Sequence, residues 1–509
     1  MKKNILFLLI ALCFTLNTKA NNLTISTPIY DHLNMTVTFN ISWDNSWKLS
    51  SGPSNWDGVW VFIKRQACSN TNIWATALVS ATSGDHGSSE SNGSNLLSVD
   101  AVSDGMGVFL RRTYSGMGNI GSHTITLKLN SSMTTSPAIT PSATDNLKIF
   151  GIEMVYVPQG QFYLGDGRQI NSYNFSNGNN AGTPLLITAQ IQTAGLGAST
   201  NYTSNSIYGC PNYLPPTFPL GYNGFWCMKY EATAVSYVDF LNTLSYDQQA
   251  KRLSKWGTRY PNSTNIQFGN GGQKGTIITS VAGTYNTIPA TFTYNTSYMN
   301  YTPVIYLSWT DLTTYLDWAG LRPMTEFEFE KACRGPLPPV ANEYPWGNTS
   351  ITQASGTGQN NGTFQERVSQ AGEGLCFYNW NDQNWAPYRS GFAATATTTR
   401  SQAGATYYGI MEMGGNVSEQ VVGGGSGYDY SNFTTANGDG ALGADGNANT
   451  VGWPGGIGAN QGNYCKGGDF RGYGSHPLII QVSDRQFYGG NSYNDGLNNG
   501  TGGRGVRSF

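Results

Sequence analysis

GIMEMGGNVSEQVV, residues 409–422, is the stretch around which the rest of the chain falls into order. Met411 and Met413 alternate with polar positions, as in a half-buried strand. Gly414, Gly415 and Asn416 then supply backbone freedom for a sharp reversal, after which Val417, Val421 and Val422 resume the apolar pattern. Glu419 stands three residues beyond Asn416, so a carboxylate lies beside turn carbonyls, an oxygen set suited to a hard cation such as calcium. Spacing alone favours the simpler reading, a tight turn with a capping glutamate, because calcium usually takes about six or more oxygens.

Outward from this turn, the composition restricts the classes of protein available. Charged residues make up 11% of the 509 and the formal net charge is −2, so there is no electrostatic case for nucleic acid or for an anionic membrane surface. Glycine (64 residues) and aromatics (13%) are both abundant, which fits a loop-rich extracellular protein with neutral polar contacts. Residues 1–20 have the pattern of a signal peptide: Lys2 and Lys3, an apolar run from Ile5 to Leu16, and a small-residue end at Ala20. Cys13 follows Leu12 instead of a small residue, which argues against a lipid-anchored cysteine. No later stretch approaches the roughly 20 consecutive apolar residues of a membrane span. The protein is therefore expected to be exported, to a periplasm, a cell surface or the medium.

Six cysteines remain beyond the signal, at 68, 210, 227, 333, 376 and 465, without a C-x-x-C pair, which excludes a zinc knuckle. An oxidising compartment would allow one or more disulfides, whose connectivity the spacing does not give. The four histidines are scattered, so histidine clusters of zinc or iron chemistry are not expected.

Residues 21–145 read as an all-β sandwich-like accessory domain, either adhesive or a spacer. Residues 35–43 and 123–129 alternate, and Val59 to Ile63 is a buried run. Asp57, Asp85 and Asp104 read as turn residues. SSMTTSPAITPSATDN, residues 131–146, reads as a linker. A second domain, 146–509, opens with a broken alternation at 153–165 that predicts a hairpin at a sheet edge. A strand follows at 225–233, then a helix from Ser236 to Leu244, and residues 245–300 look like an insertion. Ser308 with Asp311, and Thr325 with Glu328, are caps that predict two helices ending at Gly320 and Gly335. Glu326, Glu328 and Glu330 read as a solvated, capped helix face. Asp439 and Asp445 lie in a glycine-rich segment without the spacing of an EF-hand loop.

Several segments together resemble the formylglycine-generating enzyme (sulfatase-modifying factor) family. Residues 409–422 resemble its G-L-x-x-M-x-G-N-V-x-E-W segment, with Gln420 where the family has Trp. EMVYVPQGQFYLG (153–165), KYEAT (229–233), RPMTEFEFEKACRG (322–335), YPWGN (344–348), CKGGDF (465–470) and GVR (505–507) resemble others in the same order. The resemblance covers about residues 150–509 and implies an α+β, C-type-lectin-like fold with much irregular loop, preceded by the all-β sandwich. It implies a structural calcium at Asn416, Val417 and Glu419, and a second cation site near Asn361 and Glu366.

Members that make formylglycine use copper and two cysteines shortly after the strand resembled by 465–470, and paired thiolates are what selects soft Cu(I). Here residues 469–477 read DFRGYGSHP, and no cysteine follows Cys465. The related iron enzymes need several histidines, and His476 stands alone. Copper is thus not expected, and no catalytic residue is assigned. Other relatives are non-catalytic surface proteins or display variable residues for ligand binding. Phe487, Tyr488, Asn491, Tyr493 and Asn494 crowd one loop here, residue types that binding loops use. The resulting expectation is an exported binding or structural protein on a catalytically silent domain, with an unknown surface protein or glycan as partner. The alternatives are an oxidising enzyme with an unrecognised site, and a self-associating subunit of a surface filament or layer.

Overall fold

A computed structural model describes residues 22–67, 73–90, 96–130, 142–168, 174–175, 182–191, 218–253, 267–268, 277–294, 301–354, 359–360, 363, 366–378, 386–423, 430–454, 462–471, 477–485 and 500–509. The chain opens with β1 (Thr24–Ile25), β2 (Ile29–Asp31), β3 (Thr36–Lys48), β4 (Asp57–Gln66), β5 (Trp74–Thr76), β6 (Gly87–Glu90), β7 (Leu97–Ala101), β8 (Gly107–Arg112) and β9 (Gly116–Lys128). Strands β1, β3, β9 and β6 lie side by side in that order, with β2 also on β3. The alternation of β3 turns Val37, Phe39, Ile41 and Trp43 inward, where they meet Val59, Val61 and Ile63 of β4.

β4 is apolar on both faces because both are covered. Its odd-numbered residues face the layer under β3, while Trp60 and Phe62 face a second core built largely from later parts of the chain. The strand that joins the two regions is β10 (Asn146–Val157), which pairs with β4 from Asn146 opposite Gln66 to Val155 opposite Asp57. Its other edge pairs with β13 (Phe225–Met228), beyond the short β11 (Phe162–Leu164) and β12 (Leu185–Ile187), which pair with each other. The hairpin expected at 153–165 therefore does not form. β10 is claimed on both edges by long-range partners, and the chain leaves the sheet after Pro158.

α1 (Ala234–Leu241) begins at a Thr233 cap, and α2 (Tyr246–Leu253) follows it. The segment read as an insertion also carries a small sheet of β14 (Gln267–Phe268), β15 (Ile277–Val281) and β16 (Thr291–Tyr294). α3 (Trp309–Trp318) and α4 (Glu326–Arg334) start at the two capping boxes expected, flanking β17 (Arg322–Pro323). β18 (Thr352–Gln353) runs parallel to β19 (Leu375–Cys376). β20 (Ser418–Val422) lies between β21 (Asn463–Lys466) and β22 (Thr501–Gly502), and β23 (Gly505–Ser508) joins β13 to β17. One sheet thus runs β17-β23-β13-β10-β4-β8-β7, with β5 also on β4. Among the described residues the fold is mainly sheet with four helices, an α+β protein.

Three further expectations are corrected. Residues 142–146 are not free linker: Asp145 accepts from a buried Arg65 and Asn146 already belongs to β10 (131–141 lie outside the described residues). Asp57 is not a turn residue but a buried carboxylate within β4. The acidic face of α4 is not solvated, because α4 is buried on every side between two cores. Its glutamates are neutralised in place: Glu326 by Arg485, Glu328 by Arg322, and Glu330 by Arg334.

Candidate functional site

Residues 409–417 form a turn, not a strand, and the strand begins only at Ser418. Met411 and Met413 are both buried, so their alternation reflects a chain that folds back under cover. Glu412 and Asn416 adopt left-handed backbone conformations (φ 51° and 62°) and Gly415 a third (φ 74°). A Cβ at Gly415 would stand 2.4 Å from Cys376 Sγ, so this position requires glycine for space as well as conformation.

A buried ionic cluster fastens the turn. Arg504 donates from Nε to both oxygens of Glu419 at 2.8 Å each, and from its other nitrogens to the carbonyls of Met228, Lys229 and Met411. Asn416 donates to Glu231 Oε2 at 2.9 Å and accepts from the Tyr388 amide, while Val417 N donates to Glu231 Oε1. Glu412 accepts from Gly391 N, and its other oxygen is buried without a partner. Burial, with Glu412 next to it, pushes the Glu231 carboxyl well above its usual range; burial pushes Glu412 up to about 7. Burial also raises Glu419, opposed by Arg504.

This geometry bears directly on the residues expected to hold calcium. Both oxygens of Glu419 face a guanidinium, and the Asn416 side chain is spent on Glu231 and Tyr388. Asn416, Val417 and Glu419 serve here as anchors, and as placed they do not fit a calcium cage. For the second pair, Glu366 accepts from Arg389 N at 2.8 Å, and Asn361 lies outside the described residues, as do Phe487, Tyr488, Asn491, Tyr493, Asn494 and His476.

The described cysteines offer no ready thiolate. Cys227, Cys333, Cys376 and Cys465 are free thiols, and Cys68 and Cys210 lie outside the described residues. Burial pushes Cys227 and Cys465 up to about 12 and Cys333 and Cys376 well above their ordinary value.

Sequence reasoning missed two cavities that flank the strand-to-helix segment at Lys229–Thr233. One, of about 410 Å³, lies against the turn and is lined by Trp47, Met117, Lys229, Tyr230, Tyr407 and Met411 among others. Lys229 forms part of its wall, bonded to Asp57 and Glu153 at 3.2 and 3.1 Å and lying 4.9 Å from the Trp47 ring centre. Burial opposes the charge on Lys229, but Tyr230, Glu153 and Asp57 outweigh it and hold the ammonium above its usual range. A second cavity, of about 270 Å³, lies on the other side of Tyr230 and Glu153. Both cavities are assembled from segments far apart in the chain, which is why no local pattern marks them.

A loop-rich α+β scaffold, with a turn pinned by a buried Arg–Glu pair, is the class of domain that the fold and site define. Residues 143–495 match the sulfatase-modifying factor enzyme 1-like domain, and the chain belongs to that family. The chain is similar to the formylglycine-generating enzyme of Thermomonospora curvata, 50% identical over 46 residues, which are 9% of this chain and 14% of that protein. It is similar likewise to the formylglycine-generating enzyme of Mus musculus, 48% identical over 46 residues, 9% of this chain and 12% of that one. These matches thus span only a small part of the curated relatives' length.

Proposed function

We propose that this protein is an exported binding protein whose sulfatase-modifying-factor-like domain is catalytically silent. The observation that carries this reading is the absence of any cysteine between Cys465 and Phe509, together with four described thiols, three buried and Cys465 half-buried, whose surroundings all disfavour the thiolate. Among the described residues no thiolate pair offers a soft site for Cu(I). In the finer architecture, residues 21–145 act as a β-sandwich-like accessory layer and 146–509 as a C-type-lectin-like scaffold. The loop holding Phe487, Tyr488, Asn491, Tyr493 and Asn494 meets a surface protein or glycan. Support for a binding role also comes from the cavity against the turn, whose aromatic and apolar walls are those of a ligand site.

Intact-mass analysis of a sulfatase-type cysteine peptide, incubated with the protein, Cu(I) and oxygen, tests the silent domain. The expected result is an unchanged peptide beside a converting control enzyme. Conversion to formylglycine overturns the proposal and makes Cys333, Cys376 and Cys465 the first residues to replace.

A further inference from the structure

The cavity of about 270 Å³ beyond Tyr230 has a chemistry of its own. Three carboxylates line it, Glu153, Glu231 and Asp239, together with the rings of Phe150, Tyr301 and Tyr315. Of the three, Glu153 alone has a cation in contact, and that Lys229 belongs to the opposite cavity. Glu231 is met by an amide and a backbone N–H, both neutral, with Arg504 in its field but not in contact, and Asp239 likewise has Lys148 in its field but not in contact. Tyr315, which lines the same space, is fully buried, and its hydroxyl makes no hydrogen bond of good geometry. Ser236 is the hydroxyl nearest to it, but its oxygen is engaged by the Thr233 amide and hydroxyl and its proton by the Thr233 carbonyl in the α1 cap, and no well-formed hydrogen bond joins it to Tyr315. A buried hydroxyl left unmatched costs about 1–3 kcal/mol, so the space asks for a polar group at that point.

We propose that this cavity binds a small organic ammonium ion, a primary amine in its protonated form with an apolar body. Its N–H donors meet the carboxylates of Glu231 and Asp239 and the oxygen of Tyr315. Its carbon body lies against Phe150, Tyr301, Ile152 and Met228. Aromatic faces add attraction for a cation that has been taken out of water. A bare metal ion suits the space less well, because no cluster of three acidic, histidine or cysteine ligands is set for one among the described residues. Burial lifts Glu231 well above its usual range, against the opposing field of Arg504. This site goes beyond the binding role proposed above and does not depend on the loop of Phe487 to Asn494.

Calorimetric titration of the full chain with 2-phenylethylammonium chloride, and separately with neutral 2-phenylethanol, tests the proposal. The amine is expected to bind saturably and at least about tenfold more tightly than the alcohol, because they share a body and differ in charge. Asp239 lies at the open rim of the cavity on α1 and makes no hydrogen bond, so Asp239→Asn is expected to keep the melting temperature while weakening the amine about tenfold and leaving the alcohol unchanged. Tyr315→Phe is expected to weaken the amine as well. Equal affinity for amine and alcohol, no saturable binding below about 10 mM, or amine binding indifferent to Asp239→Asn would each overturn it. Failure of this titration leaves the cysteine-peptide result untouched, so the two proposals fall separately.

Discussion

Arg504 and Glu419 are both fully buried, and neither has another full charge in contact. Removing one member of such a pair strands the other in a low-dielectric interior, so Arg504→Met is expected to destabilise by about 3–5 kcal/mol. Adding Glu419→Gln to that variant should recover a large part of the loss, as a double-mutant cycle in urea would measure. Because the guanidinium already supplies the countercharge, EDTA or millimolar calcium is expected to leave the melting temperature of the wild-type protein unchanged; a clear rise with calcium would show that oxygens other than those described here form the cage. Glu412 has the opposite character, a buried carboxyl pushed up to about 7 with one oxygen unmatched. The native state therefore holds this proton more tightly than the unfolded chain does. Its contribution is present in full below about pH 4.5 and is lost as pH rises through about 7, a change of at most about 3 kcal/mol. Melting temperatures of wild type and Glu412→Gln are expected to diverge over that window, with the variant the more stable above pH 7. The turn itself was legible in the sequence, since Gly414, Gly415 and Asn416 announce a reversal. The partner of Glu419 was not, because Arg504 lies 85 residues away in a segment whose local pattern says only strand.

At the scale of elements, local signals and long-range ones divide in the same way. The starts of α3 and α4 were readable because a capping box closes within four consecutive residues, and both Ser308 with Asp311 and Thr325 with Glu328 close as spacing predicts. The burial of α4 was not readable, because the arginines that neutralise its glutamates come from β17, from α4 itself and from residue 485. Likewise the alternation of β10 fixed its strand character but not its neighbours, and a partner already present in β4 displaced the expected hairpin. β4 carries the clearest consequence. Trp60 projects from it into the core shared with α1 and α3, lies 4.9 Å from the Phe109 ring at a tilt of 44°, and donates to the Ala319 carbonyl at 2.8 Å. Trp60→Ala is expected to cost about 3–5 kcal/mol, seen as a shift of the denaturant midpoint. The loss would be felt in the family-matched region although residue 60 lies outside it.

The family match begins at residue 143, three residues before β10, and a boundary there is natural in sequence. Physically the same place is the middle of a sheet. β10 bonds to β4 on one edge and β13 on the other, and a single core takes Trp60, Phe62 and Phe109 from one side with Met154, Leu312 and Leu316 from the other. Independent domains meet across surfaces that can separate, whereas here separation would expose an unpaired strand edge and a continuous apolar face. The prediction is that the two regions unfold together. Differential scanning calorimetry should give one transition whose calorimetric and van't Hoff enthalpies agree for the whole chain, with tryptophan fluorescence and far-UV dichroism melting at the same temperature. Chains of this length usually melt in steps, so one transition would be informative and two well-separated ones would show that the β4–β10 pairing does not couple the halves. The same reasoning predicts that residues 142–509 produced alone aggregate, since the edge of β10 and the aromatic core beneath it would meet water. Removing residues 22–130 therefore tests the accessory layer as part of the fold that holds the turn and both cavities in place.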